Sequence, residues 1–241
     1  MYIQIPQPIP GDITKAIPQK EPVTKKIDSV PTATLEKPIN STSLNTKDTA
    51  YQALFNQWQI KINPKVRRTP CEQAREKSLQ CMEEKGNLSD LRQLNKPAVL
   101  KFVDRKDGEY YAALLSLKGD TATLAIGNET RTVDVSEIVP RWSGDYTLFW
   151  RVPHKYKVKL IPGSRGPLIT WLDQHLSLAQ GLDVQLDHRP AYDDALMRKI
   201  KEFQINAGLT PDGVVGAKTI ICLTNAAGTG GPVLEEKKRN N

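Results

Sequence analysis

The sequence predicts an α+β protein, with helices followed by a mostly antiparallel sheet and then by a small three-helix bundle. Two observations support this prediction. Between residues 98 and 153, short β-prone runs alternate with hairpin turn signals. After Pro153, apolar residues return at helical spacing in successive segments. Sheet and bundle therefore occupy separate parts of the chain, which is typical of α+β architecture.

Residues 1–46 are expected to form a proline-rich linker. They show neither the helical nor the strand period, and proline removes backbone donors and favours an extended chain. The sequence has no apolar run of membrane-spanning length and no apolar core of a signal peptide. The chain is therefore either cytosolic or a soluble part of a longer, anchored protein, and a proline-rich leader favours the second interpretation. The prolines are Pro6, Pro8, Pro10, Pro18, Pro22, Pro31 and Pro38.

A domain is predicted at residues 47–153, and it begins with helices. Asp48 is the expected N-cap of the first helix. A second helix is expected from Pro70 to about Met82. A short third helix, in SDLRQL, is expected to be capped by Ser89 and to stop before Pro97. The apolar face of the first helix consists of Tyr51, Leu54, Phe55 and Trp58.

Five β-prone runs follow these helices. The dipeptides Asp107-Gly108, Gly119-Asp120 and Gly127-Asn128 separate the first four runs and are hairpin turn signals. The fifth run follows the loop EIVPRWSG. Short runs joined by tight turns predict a mostly antiparallel sheet. The runs are AVLKFVD, YYAALLSL, TATLAIG, TRTVDVS and DYTLFWRVP.

The helical bundle is predicted at residues 154–227. Its first helix lies in GPLITWLDQHLSLAQGL and ends before Gly181, and its second lies in DDALMRKIKEFQINAGL and ends before Gly208. Both therefore end in a Gly-Leu stop of the kind that closes helices. A third helix is expected from about Ala217 to Asn225. Residues 228–241 are expected to be a disordered tail.

The net charge of +7 would suit an anionic partner such as nucleic acid, anionic lipid or an acidic polymer. Positive and negative residues are mixed along the chain, however, and this includes the C-terminus. There Lys237, Lys238 and Arg239 follow Glu235 and Glu236. Mixed signs favour an ordinary solvated surface, so no nucleic-acid partner is expected.

The cysteines are Cys71, Cys81 and Cys222. They form no CxxC pair, and the histidines are not at ligand spacing, so neither a metal nor a cofactor is expected. One disulfide and one buried thiol would account for all three. In one straight helix, Cys71 and Cys81 would lie about 15 Å apart along the axis. They can therefore pair only if that helix starts late or stops early.

The stretch FQINAGLTPDGVVGAKT, residues 203–219, contains a helix stop, a Pro-Asp-Gly turn and the start of the third bundle helix. Free N–H groups at a helix start favour an anion. The stretch resembles the signature of the peptidoglycan-binding domain 1 family, and Gly163, Gly166 and Ile169 resemble the start of that family's first helix. The matching positions are Phe203, Gln204, Gly208, Leu209, Asp212, Gly213, Gly216 and Thr219.

This resemblance implies a three-helix module that binds the stem peptides and glycan of the bacterial cell wall without cutting them. Thr219 and the N–H groups beside it are expected to meet a stem-peptide carboxylate, Gln204 an amide, and Arg165 a carboxylate. The alternative is a compact bundle whose glycines only make tight turns. The candidate binding residues are Arg165, Gln204, Asp212, Gly213, Gly216, Lys218 and Thr219.

The predicted sheet domain resembles the papain-type fold of the C39 peptidase family. The resemblance rests on Cys71 at the head of a helix, the segment LRQLNKPAVLKF, a strand pair and Trp142-Ser143-Gly144. In such peptidases, a histidine on a strand activates a cysteine at a helix N-terminus. That histidine is absent from Glu109 to Tyr111, and the expected aspartate is absent near Gly127-Asn128. The resemblance therefore implies an inactive scaffold without catalytic residues, in which Cys71 is either structural or paired with Cys81.

The order of linker, C39-like domain and wall-binding module resembles the periplasmic region of the general secretion pathway protein A family of type II secretion. It implies a periplasmic chain, tethered to the inner membrane in a longer protein that also carries a cytoplasmic AAA-type ATPase. The implied function is non-catalytic peptidoglycan binding that helps secretin assembly. The implied partners are peptidoglycan, general secretion pathway protein B, indirectly the secretin, and further copies of the chain. The alternative is a cell-wall cysteine peptidase or hydrolase that its C-terminal module targets to the wall.

Overall fold

The computed structural model describes residues 33–38, 41–62, 67–104, 108–151, 153, 159–184 and 191–236. All of them lie in one unit, Pro31–Asn241. An antiparallel sheet with its helices comes first in the chain and is called the sheet unit below. Three helices follow it and are called the helical bundle. The expected α+β architecture is confirmed.

The sheet consists, in the described residues, of β1 Leu79–Lys85, β2 Ala98–Asp104, β3 Gly108–Lys118, β4 Thr121–Ile126, β5 Glu129–Asp134 and β6 Trp142–Arg151. Their order across the sheet is β1-β6-β2-β3-β4-β5, and neighbouring strands are antiparallel. The hairpins β3–β4 and β4–β5 turn where expected, since Gly119 and Gly127 both take positive φ there. All five expected runs form strands.

The first strand corrects the prediction of a helix from Pro70 to about Met82. Helix α2 covers only Pro70–Glu76, Ser78 has a φ of 60°, and β1 begins at Leu79. Leu79 is fully buried, and β1 pairs with β6 along all of its 7 residues. Non-local pairing and burial outweigh the helix preference of this charged segment.

The other helices are α1 Ser43–Gln57, α3 Leu88–Leu94, α4 Val135–Ile138, α5 Pro167–Ala179, α6 Asp194–Asn206 and α7 Ala217–Ala226. Two caps differ from the prediction. Thr42 Oγ1 accepts a hydrogen bond from Asn45 N at 3.1 Å, so Thr42 and not Asp48 starts α1. Asn87, in place of Ser89, caps α3. Helix α4 covers the last two residues of the run TRTVDVS, expected as strand, and the first two of the loop EIVPRWSG.

The sheet packs on both faces. On one face, Leu54 and Phe55 of α1 pack with Val99 and Phe149, and the rings of Phe55 and Phe149 lie 4.7 Å apart. On the other face, the sheet unit and the helical bundle share one apolar core, whose burial stabilises their contact. Its members include Leu94, Leu100, Leu148, Leu172, Ile200, Ile220 and Leu223.

Residues 228–236, called the C-terminal strap below, return to the sheet unit. Leu234 is buried, and its carbonyl accepts a hydrogen bond from Leu117 N at 2.9 Å. The pairing of β2 with β3 ends at Ala98 and Leu114, and the bond of Leu117 lies beyond that end. The prediction of a disordered tail is therefore wrong for these residues, because they provide a buried side chain and backbone partners. Residues 237–241 lie outside the described residues.

The predicted linker is also too long at its C-terminal end. Ala33 N donates to Thr132 O of the edge strand β5 at 2.8 Å, and Arg131 Nη1 donates to Glu36 O at 3.0 Å. Leu35 is buried. Residues 33–38 therefore follow the edge of β5, and α1 begins before residue 46. Residues 1–32 lie outside the described residues.

Candidate functional site

The turn between α6 and α7 is built around the side chain of Gln204. This residue is buried near the end of α6. Its Oε1 accepts a hydrogen bond from Gly213 N at 2.9 Å, and its Nε2 donates to Asp212 Oδ1 at 3.0 Å and to Val214 O at 3.1 Å. One amide therefore joins the end of the helix to three consecutive residues of the turn, and its polar atoms are satisfied within the protein.

Two glycines determine the path of this turn. Gly208 ends α6 with a φ of 69°, as the Gly-Leu stop predicts. Gly213 has a φ of 75°, and a Cβ at this position would lie 3.2 Å from Met197 Cγ and 3.3 Å from Lys201 Cε. Both the backbone conformation and the available space therefore favour glycine at position 213.

The side chains of Tyr192 and Thr219 also stabilise the turn. The hydroxyl of Tyr192 donates to Gly213 O at 2.6 Å, and burial raises the pKa of Tyr192 to about 12. The phenol therefore stays protonated at neutral pH and remains a donor. Thr219 is buried, and its Oγ1 donates to Val214 O at 3.3 Å.

A groove of about 360 Å³ lies beside this turn and is called the α7 groove below. One wall is the turn and the start of α7, and the other is strand β1. Gly216 is the N-cap of α7, and no described side chain caps this helix. The free N–H groups and the positive end of the helix dipole therefore favour an anion here. The groove is lined by Met82, Glu84, Lys159, Gln204, Leu209, Thr210, Asp212, Val214, Gly216, Ala217, Lys218 and Thr219.

An ion pair joins the two walls of the α7 groove. Glu84 Oε2 lies 2.7 Å from Lys218 Nζ, and the hydroxyl of Tyr146 donates to the same carboxylate oxygen at 3.4 Å. Burial and the nearby carboxylates raise the pKa of Tyr146, so it remains a donor. Sequence reasoning missed Glu84, because strand β1 was not predicted and nothing local indicates a contact between Glu84 and α7.

The predicted binding residues divide into three groups. Gln204, Asp212, Gly216, Lys218 and Thr219 line the α7 groove. Gly213 is buried in the turn, where it and the polar groups of Gln204 and Thr219 make contacts within the protein. Arg165 is exposed before α5, in a bridge with Ala191, and does not line the groove. Contact of these residues with peptidoglycan stays a prediction.

Cys71 and Cys81 form a disulfide between α2 and β1, with their Cα atoms 5.5 Å apart. The sequence allowed this pairing only if the helix started late or stopped early, and α2 stops at Glu76. In the protein described here, Cys71 therefore has no free thiol.

A different helix start faces the strand position where a peptidase histidine was expected. Thr46, in the first turn of α1, accepts a hydrogen bond from Tyr111 N of β3 at 3.2 Å and donates to Ser43 O at 2.9 Å. The helix-start residue that contacts this strand position is therefore Thr46. The residue at the helix start that meets β3 is a threonine engaged in backbone contacts.

The remaining thiol and the one described histidine are packed in helices. Cys222 is buried, its Sγ donates to Gln93 O at 3.6 Å, and burial raises its pKa to about 11. His175 Nδ1 lies 2.9 Å from Trp171 O, and burial lowers the pKa of this histidine. Within the described part of the chain, His, Cys, Asp and Glu side chains form no group able to hold a metal ion. No helix in that part is long and apolar enough to span a membrane.

Two family models match the chain. Residues 40–152 match the GspA peptidase C39-like domain, and residues 165–223 match a putative peptidoglycan binding domain. The chain thus joins a GspA C39-like domain to a peptidoglycan-binding domain, and it is called the GspA-type region below. The GspA C39-like domain covers the sheet unit from α1 to β6, and the peptidoglycan-binding domain covers α5, α6 and most of α7.

Two curated proteins named as general secretion pathway protein A are similar to the chain. The chain is 35% identical over 193 residues to General secretion pathway protein A of Aeromonas hydrophila, covering 80% of this chain and 34% of that protein. It is 29% identical over 160 residues to Putative general secretion pathway protein A of Escherichia coli strain K12, covering 66% of this chain and 32% of that protein. The chain thus spans about a third of the length of these GspA relatives.

A solved structure shares the fold. It is a periplasmic domain of the EpsAB fusion protein of the Vibrio vulnificus type II secretion system. The TM-score is 0.50 at 24% identity, and the match covers 78% of this chain and 82% of that one. The GspA-type region therefore shares the fold of this periplasmic domain.

Proposed function

We propose that this GspA-type region binds peptidoglycan without cutting it and serves as the periplasmic part of a type II secretion accessory protein. The observation that carries the proposal is the match of residues 165–223 to a peptidoglycan-binding domain, with the α7 groove at its helix start. Lysine side chains and free N–H groups in this groove suit the carboxylates of stem peptides. The sheet unit then acts as a scaffold.

The fate of the cysteines supports a non-catalytic role. The disulfide removes the thiol of Cys71, and the thiol of Cys222, with its pKa raised to about 11, is almost fully protonated at neutral pH. Incubation of the protein with isolated sacculi should release no soluble muropeptides, with or without a reducing agent. Release that is lost in a Cys71→Ser variant would contradict this proposal and favour the alternative of a targeted cysteine peptidase.

The disulfide also supports the proposed location. Disulfides persist in oxidising compartments such as the bacterial periplasm. We therefore place this region in the periplasm, tethered to the inner membrane through a longer protein with a cytoplasmic AAA-type ATPase. There it would work with general secretion pathway protein B and help the secretin assemble through the wall. Co-sedimentation of protein B with sacculi only when this chain is present would test the partnership.

Sedimentation with purified sacculi tests the central proposal. The wild-type protein should pellet with sacculi, and a Lys159→Gln/Lys218→Gln variant should bind about tenfold more weakly, because two cations of the α7 groove are removed. Lys118→Gln/Lys47→Gln is the matched control, since these lysines carry the same charge and lie outside this groove. Equal binding by both double variants, or no binding by the wild type, would contradict the proposal.

A further inference from the structure

The α7 groove has an anion on one wall and a cation on the other. Glu84 belongs to β1 of the sheet unit and Lys218 to α7 of the bundle, and their charged atoms lie 2.7 Å apart. Their side chains remain 37% and 47% exposed. The pair is therefore accessible from the groove, and each partner can exchange the other for a ligand.

The two walls also differ in their remaining charges. Lys159 and the positive end of the α7 dipole lie on the same side as Lys218. Asp212 is the second carboxylate of the groove, but its Oδ1 accepts hydrogen bonds from Val214 N at 2.8 Å and Gln204 Nε2 at 3.0 Å. Asp212 thus serves the turn, which leaves Glu84 as the groove's exchangeable carboxylate.

This arrangement selects among ligands by charge. A ligand with only a carboxylate would displace Glu84 from Lys218 and leave two carboxylates close together, which is unfavourable. A ligand with only an ammonium group would leave Lys218 facing a like charge. A ligand with both groups would bond Lys218 and the α7 N–H groups through its carboxylate and Glu84 through its ammonium. Opening the exposed pair opposes this exchange only weakly, because such pairs add little stability.

We propose that the α7 groove takes a zwitterionic amino-acid end, in which one residue carries a free ammonium and a free carboxylate, and that Glu84 binds the ammonium. This inference rests on the proposed function of peptidoglycan binding. A stem-peptide residue with two amino and two carboxyl groups offers such an end at the centre outside the peptide backbone, while the amino group there is not cross-linked, because a cross-link turns the ammonium into an amide. The sheet unit then contributes directly to recognition and favours wall strands that are not cross-linked.

The experiment compares binding to native sacculi and to sacculi whose free amino groups have been acetylated. The proteins are the wild type, Glu84→Gln, Glu84→Asp and the control Glu83→Gln. Glu83 is the exposed neighbour of Glu84 on β1 and does not line the α7 groove. Acetylation makes the wall more negative, so non-specific attraction to a chain of net charge +7 would strengthen binding. The proposal predicts the opposite.

On native sacculi, Glu84→Gln should bind about tenfold more weakly than the wild type, because a charge-assisted bond is lost. Glu83→Gln should bind like the wild type. Acetylation should weaken the wild type and Glu84→Asp, and it should leave Glu84→Gln unchanged. These differences require that Glu84 and the wall's free ammonium act together.

Two results would overturn the inference. Tighter binding by Glu84→Gln would mean that Glu84 competes with a ligand that carries only a carboxylate. Wild-type binding that acetylation does not weaken would mean that the protein does not bind a free ammonium of the wall. A wild-type protein that fails to bind native sacculi would instead refute the proposed function itself, so the two failures are distinguishable.

Discussion

Two lysines connect the sheet unit with the C-terminal part of the chain, and their environments are opposite. Lys96, between α3 and β2, is fully buried, and its Nζ donates to Gly230 O and, at 3.1 Å, to Pro232 O of the C-terminal strap. Lys218 is 47% exposed and pairs with Glu84 across the α7 groove. One lysine thus contacts neutral carbonyls in the interior, and the other contacts a carboxylate near solvent.

The difference shows which contact holds the protein together and which can change. Lys96 has strap carbonyls as its hydrogen-bond partners in the interior, and a buried polar group without a partner is unfavourable. Burial lowers the pKa of Lys96 to about 8, which reflects this poor solvation. The pair of Lys218 can open into solvent at little cost. We therefore expect a rigid attachment at the strap and an exchangeable contact at the groove.

The largest expected effect is that of Lys96→Ala. This change removes a buried aliphatic stem and leaves the carbonyls of Gly230 and Pro232 without their donor. We expect the free energy of unfolding to fall by about 3 kcal/mol in urea denaturation, from cavity formation and unsatisfied acceptors. Lys118→Ala, at an exposed lysine of β3, should remain close to the wild type. Equal effects of the two changes would refute the contrast between buried and exposed lysines.

The next largest effect on stability is expected from removal of the disulfide that holds β1, the strand that carries Glu84. The Cys71–Cys81 disulfide holds β1 to α2. Cys71→Ser/Cys81→Ser should lower the free energy of unfolding by about 2–3 kcal/mol, because the closed loop is short. Addition of a reducing agent should destabilise the wild type by a similar amount and leave the double variant unchanged. A wild type insensitive to full reduction would show that β1 is held by its pairing with β6 alone.

A smaller effect should appear as a pH dependence of stability. The pKa of Lys96 is lowered from 10.5 to about 8 by burial. Between these values the unfolded chain binds more protons at Lys96 than the folded chain, so the free energy of unfolding should rise with pH across this window. Below about pH 8 both states are protonated, and this dependence disappears. Cys222, whose pKa is raised to about 11, acts in the opposite direction at higher pH.

Comparison of the wild type with Lys96→Met isolates the contribution of Lys96 from that of Cys222. The difference in their free energies of unfolding should shift in favour of the wild type by about 1–3 kcal/mol between pH 8 and pH 10. Between pH 6 and pH 7 the difference should be constant. A constant difference throughout, measured by urea denaturation at each pH, would show that the ammonium group of Lys96 is as well solvated as in the unfolded chain.

The parts of the structure that were predictable from the sequence are local. Glycine at position 208 stops α6, and the pairs Gly119-Asp120 and Gly127-Asn128 turn their hairpins, because these effects depend on the backbone preferences of adjacent residues. The hairpin strands β3, β4 and β5 follow from the same signals. The pairing of Cys71 with Cys81 was left open, because it depends on where α2 ends.

The parts that were not predictable depend on contacts between distant segments. Strand β1 has a charged, helix-favouring sequence and becomes a strand because β6 is available to pair with it. The strap looks like a tail until Leu234 bonds Leu117 of β3, and Gly230 and Pro232 accept hydrogen bonds from Lys96. Glu84 follows from neither motif nor period. The wall of the α7 groove formed by β1 was therefore not predictable from the sequence, although the wall formed by the turn and the start of α7 was recognised.

The smallest expected effect on stability is that of Glu84→Gln, and it decides whether the groove contact is exchangeable. Because the pair with Lys218 is partly exposed, we expect the free energy of unfolding to change by no more than about 0–1 kcal/mol. Urea denaturation of Glu84→Gln and Glu83→Gln should then give nearly equal midpoints. A loss comparable to that of Lys96→Ala would make this pair a structural attachment like the one at the strap. A ligand could then not displace it cheaply, and the zwitterion-binding role of Glu84 would lose its energetic basis.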